Sequence, residues 1–63
     1  MKNKYTVVVK SGKNSRSVTV ESANPMLAHK QVYMRIKHTE EVDSITDDGS
    51  GDIVFNVERG FSE

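Results

Sequence analysis

The sequence contains no cysteine and no tryptophan, only one proline, and no apolar run near the ~20 residues that a membrane-spanning helix requires. Each absence removes a class of protein. Without cysteine there is no disulfide staple and no thiolate metal site. Two histidines, His29 and His38, are nine residues apart and fall on different sides of a helix, so they do not chelate one metal by themselves. The first apolar stretch, Tyr5-Thr6-Val7-Val8-Val9-Lys10, is too short and too polar for the core of a signal peptide. These features predict a soluble, cytoplasmic protein that uses no membrane, cofactor or metal. With no cysteine nucleophile and no serine in a recognisable nucleophile turn, they predict no catalytic residues and no enzyme.

The charges that are present are sorted along the chain. Residues 1–38 hold eight bases (Lys2, Lys4, Lys10, Lys13, Arg16, Lys30, Arg35, Lys37) against one acid, Glu21. Residues 39–63 hold eight acids (Glu40, Glu41, Asp43, Asp47, Asp48, Asp52, Glu58, Glu63) against one base, Arg59. The formal net charge of zero is therefore the sum of +7 and −7. Such sorting suits a basic surface for a polyanion, head-to-tail self-association, or two parts of one domain that neutralise each other.

Sixty-three residues make one domain, 1–63, of modest stability. A chain of this size buries only about 60% of the surface it exposes when unfolded. Its apolar content is 35%, but the apolar residues are periodic. Tyr5, Val7 and Val9 alternate with Thr6, Val8 and Lys10 over 4–10, and Val18 and Val20 alternate with Ser17, Thr19 and Glu21 over 16–21, which predicts two strands. The polar segment Ser11-Gly12-Lys13-Asn14-Ser15 between them predicts a hairpin. Asn24-Pro25 reads as an N-cap followed by a first helical residue, and no Gly or Pro follows until Gly49, which predicts a helix over 25–38. A strand over 41–47 shows weaker alternation, Val42 and Ile45 falling on different faces. A fourth strand over 52–58 follows the acidic turn Asp47–Asp52.

The expected architecture is α+β: a two-layer ββαββ domain with one helix packed on a four-stranded antiparallel or mixed sheet. The expected core is Tyr5, Val7, Val9, Val18, Val20, Ala28, Val32, Ile36, Ile45, Ile53, Phe55 and Val57. At 100° per residue Pro25, Ala28, Val32 and Ile36 form the buried stripe, with His29 and Tyr33 beside it.

Several local patterns suggest chemistry and fail on spacing. Asp47, Asp48 and Asp52 around two glycines lack the twelve-residue ligand spacing and late Glu of an EF-hand. Ser11–Arg16 has the composition of a phosphate loop, but the P-loop pattern is absent and a strand follows it. The strand-cap-helix junction Val20-Glu21-Ser22-Ala23-Asn24 and the pair Val32-Tyr33 loosely resemble the ribosomal LX family over about half the chain. That resemblance implies an RNA-binding module, whereas the acidic final hairpin departs from it.

Two functions follow as expectations. The first is a small interaction protein, an accessory or assembly factor of the kind encoded by phages and mobile elements, docking on a protein partner or on its own copies. Leu27 and Met34, two helical turns apart, fall opposite the core stripe and are flanked by Lys30, Lys37 and His38, which marks these five as the interface. A helix rotated by about 60° would instead bury one of the pair. The second is a nucleic-acid-binding module that contacts phosphates through Lys10, Lys13, Arg16 and Lys30. No small-molecule substrate is expected, since ligand pockets run to ~300 Å³ or more.

Overall fold

The computed structural model describes residues 2–61. Alternating β-branched residues give β1 (Asn3–Ser11) and β2 (Asn14–Ser22), paired antiparallel in unbroken register from Asn3 opposite Ser22 to Ser11 opposite Asn14. The turn between them is two residues, not five. Gly12 takes φ +61° and no non-glycine residue among those described has positive φ, the pattern of a type II′ turn with glycine first.

Asn24 is extended at φ −154° and ψ 166°, and its Oδ1 accepts from the Leu27 N–H at 2.9 Å. With Pro25 at the first position, it starts α1 (Pro25–Tyr33) where the sequence places it. The helix stops at Tyr33, five residues before the predicted end. Arg35 N–H bonds the Val32 carbonyl in a tighter turn, and the Glu40 carboxylate accepts from the Lys37 N–H at 3.0 Å. Half-buried Ile36 packs against the core. The stop is set by tertiary contacts, so no glycine or proline announces it.

The chain returns as β3 (Glu41–Asp47), β4 (Ile53–Asn56) and β5 (Gly60–Phe61). The sheet has five strands in the order β2-β1-β3-β4-β5, every neighbouring pair antiparallel. The expected ββαββ order thus becomes ββαβββ. The predicted fourth strand over 52–58 ends at Asn56, which starts a turn. Its Oδ1 accepts from the Glu58 N–H, its carbonyl accepts from the Arg59 N–H, and Gly60 at φ +77° brings the chain back.

The core is Tyr5, Val7, Val9, Val20, Ala28, Val32, Val42, Ile45 and Phe55, with Val18, Ile36 and Val54 half-buried against it. Three expectations need correction, and β-bulges explain two of them. Val8 faces Ser44 but Val9 faces Val42, so Asp43 is an extra residue that returns Val42 to the core face with Ile45. Ile45 faces Phe55 while Thr46 faces Ile53, so Val54 is extra and Ile53 turns outward into solvent. Val57 lies beyond the strand, in the turn, and is exposed.

Candidate protein-docking surface

Helix α1 lies over β2, β1 and β3, and it buries Ala28 and Val32 against them. The phase of the helix follows from that pair. Its opposite face carries Met26, Leu27, Tyr33 and Met34 at 66%, 43%, 64% and 75% exposure, around exposed Lys30. A helix that needs one apolar stripe to cover a sheet has no structural use for a second. Leu27 and Met34 therefore both face solvent, Leu27 in the first turn of the helix and Met34 at its C-cap. Lys37 and His38 are exposed too, but the early stop places them in the connection to β3 and not in the last helical turn. Tyr33, read from sequence as bordering the core stripe, is largely in solvent.

Tyr33 also joins this face to the far edge of the sheet. Its ring stacks on His29 with centroids 5.9 Å apart and planes at 14°. His29 meets the edges of Phe55 at 4.9 Å and Phe61 at 5.7 Å, and the two phenylalanines lie 4.7 Å apart. Such offset and edge-to-face contacts favour the rings beyond simple area burial. The cluster continues the apolar surface of the helix down to exposed Phe61 on β5. The spacing of His29 and Tyr33, four residues, signals their contact in the sequence. The two phenylalanines cannot be joined to them without knowledge of β5.

The four bases proposed for nucleic acid do not converge. Lys10 lies on the sheet face away from the helix, where its Nζ is 3.6 Å from Asp43 Oδ1. Arg16 pairs with Val9 on the helix side, and its Nε is 3.3 Å from Glu40 Oε2. Lys13 stands at the hairpin tip and Lys30 on the outer helix face. The sheet order explains the pairing. Acidic β3 lies directly beside basic β1, with Lys10 opposite Glu41, while Glu21 of β2 lies opposite Lys4. The two halves of opposite charge are interleaved by folding.

The side chain of Glu40 is only 13% exposed. The N–H of Lys37 holds its carboxyl below the usual carboxylate range, with help from the Arg16 guanidinium and against the cost of burial.

Two concavities stand out among the described residues. One of about 120 Å³ lies between the first hairpin and Glu40, lined by Val9, Ser11, Asn14, Ser15, Arg16 and Glu40. The other, about 310 Å³, is a groove along β4 and β5 lined by Ile53, Phe55, Asn56, Glu58, Arg59 and Gly60. Ser11 and Ser15 line the first beside Glu40, but among the described residues no hydrogen bond joins either hydroxyl to that carboxylate, which is held by Arg16 and the Lys37 N–H. Among the described residues, no three His, Asp or Glu side chains come together to hold a metal ion. No helix among them is long and apolar enough to cross a membrane.

Comparison with family models, with curated proteins and with solved structures gives no match to this chain.

Proposed function

We propose that this protein is a non-enzymatic interaction module, an accessory or assembly factor, that docks on a protein partner through the outer face of α1. The observation that carries this reading is the exposed set Met26, Leu27, Tyr33 and Met34 surrounding Lys30. Single exposed apolar residues are ordinary, but a contiguous set on one helix of a minimal domain is not. Methionine suits an adaptable contact and tyrosine a rigid one, and both are enriched where proteins meet. Lys30 among them, with Lys37 and His38 beside the helix end, favours a partner surface that is apolar at its centre and acidic at its rim.

The nucleic-acid reading has less support. Two of its four bases, Lys10 and Arg16, face acids of the same chain, and those two lie on opposite faces of the sheet. Phosphate binding draws on several cations that converge.

The test is the double variant Leu27→Ser, Met34→Ser. A photo-crosslinker at position 30 of the otherwise native chain traps the partner in cells that produce the protein, and the purified pair is titrated. The double variant is expected to keep its melting temperature and to lose at least tenfold in affinity. Unaltered affinity overturns the reading, as does unfolding, which would place these side chains in the core.

A further inference from the structure

Strand β2 is an edge of the sheet, and the direction of its outer hydrogen-bonding groups can be fixed. Lys4 lies opposite Glu21. The Lys4 carbonyl accepts from the Asp48 N–H at 3.0 Å, on the β3 side, so Lys4 and Glu21 exchange no backbone bonds. The N–H and C=O of Glu21 therefore point away from β1. The helix confirms this: Gln31 Nε2 donates to the Glu21 carbonyl at 3.4 Å. By the alternation of an antiparallel strand, Ser15, Ser17 and Thr19 also direct their N–H and C=O outward. All three residues are exposed, and no described residue bonds those groups.

Edge strands are ordinarily blunted by shortness, proline, bulges, charged side chains or a covering element. Here β2 runs nine residues in unbroken register, with neither proline nor bulge, although both β1–β3 and β3–β4 are bulged. The residues with outward groups at its centre are two serines and a threonine, small and uncharged. Only one end is closed, where Gln31 occupies Glu21.

We propose that β2 pairs antiparallel with β2 of a second copy of this chain, centred on Ser17, to make one continuous sheet. In this register Ser17 faces its own counterpart, and Ser15 faces Thr19 of the second copy on either side. These are three residue pairs that exchange two backbone bonds each. The register uses every free group from Ser15 to Thr19 and leaves the Glu21 carbonyl to Gln31. It also sets Lys13 of each hairpin tip opposite Glu21 of the other copy, so opposite charges meet at both ends. Arg16, on the helix side of the seam, is already neutralised by Glu40. A two-fold axis through such a seam stands perpendicular to the sheet and places both helices on one side. The dimer then offers two copies of the α1 face to one partner, which raises avidity without a new contact.

The experiment is sedimentation equilibrium of the full chain, with amide hydrogen exchange followed against protein concentration. The wild type should be dimeric, and the amides of Ser15, Ser17 and Thr19 should gain protection as the dimer forms. Ser17→Pro should sediment as a folded monomer, because proline is tolerated where an edge N–H faces outward. Lys13→Glu should weaken the dimer roughly tenfold, and Lys13→Glu combined with Glu21→Lys should restore it. Leu27→Ser, Met34→Ser should leave the dimer intact, which separates this seam from the helix face. A wild type that stays monomeric at millimolar concentration overturns the proposal. So does a dimer in which those three amides gain no protection, since the two copies then meet through another surface. If Ser17→Pro unfolds the monomer, the charge reversal decides, and an unweakened Lys13→Glu dimer overturns the proposal.

Discussion

Ser22 sits buried at the end of β2 with its hydroxyl oxygen bonded to nothing among the described residues. A buried hydroxyl without a partner keeps the cost of leaving water and gains no bond in return. Ser22→Ala should therefore raise stability by about 1 kcal/mol, read as a higher denaturation midpoint at unchanged slope. Two residues later the balance reverses. Asn24 satisfies an orphan N–H of the helix, and Asn24→Ala should cost about 1 kcal/mol in the same measurement. Glu40 adds a pH dependence of definite sign. Its carboxyl titrates below its unfolded value, which lies near 4.3, so its contribution is present above that pH and is lost as pH falls through the lowered folded value. Glu40→Gln keeps an acceptor for Lys37 but does not titrate. Its stability curve should fall less steeply than that of the wild type as pH drops below the unfolded value. The Asn24 cap was legible in the sequence because capping is a local matter of one side chain and the next three residues. The Glu40 bridge was not, because it joins Arg16 to Lys37 across the fold.

At the scale of elements, what alternates cleanly could be read and what bulges could not. The first hairpin and the helix start follow from period and cap. Val42 and Ile45 read as opposed because alternation assumes an unbroken ladder, and the extra Asp43 breaks it. Alternation points Ile53 inward for the same reason, one residue before its own bulge. Strand β5 lay hidden behind Asn56, whose turn-forming role competes with an apolar alternation that runs on to Val57. Gly60 holds that turn at φ +77° with open space where a Cβ would stand, so the cost of Gly60→Ala is backbone strain alone, about 1 kcal/mol. The variant should loosen β5 from β4 and weaken the ring-current shift that His29 imposes on Phe61, while the shifts of β1 and β2 stay fixed. Across the core, Val32→Ala removes methyls from a residue 3% exposed beneath the helix. It should cost roughly 1–3 kcal/mol and report on the whole domain.

For the whole molecule, the question raised by the sequence is where its +7 and −7 go. Antiparallel order puts β1 between β2 and β3, so Lys4 faces Glu21, Lys10 reaches Asp43, and Arg16 reaches Glu40. Much of the sorting is thus spent inside the monomer, while Lys13, Lys30, Arg35 and Lys37 stay exposed on the tip and helix side, and Asp48 and Asp52 on the acidic turn. This separates two effects of salt. The internal pairs are partly exposed and such pairs are worth 0–1 kcal/mol each, so raising ionic strength from about 0.1 to 1 M should change stability by less than about 1 kcal/mol. Association driven by the residual charge responds differently. A nucleic-acid complex would lose log affinity against log salt at about −0.9 per phosphate neutralised on duplex DNA. With Lys10 and Arg16 held by acids of their own chain, mixed DNA and RNA should fail to bind in a gel-shift or anisotropy assay even at low salt. The complex made through the helix face should survive moderate salt, because its centre is Leu27, Tyr33 and Met34 and its cations lie at the rim, where charge mainly sets the rate of encounter. A steep salt slope with nucleic acid, together with loss of that binding on Lys13→Glu and Lys30→Glu, would transfer the function from the apolar helix face to the cations.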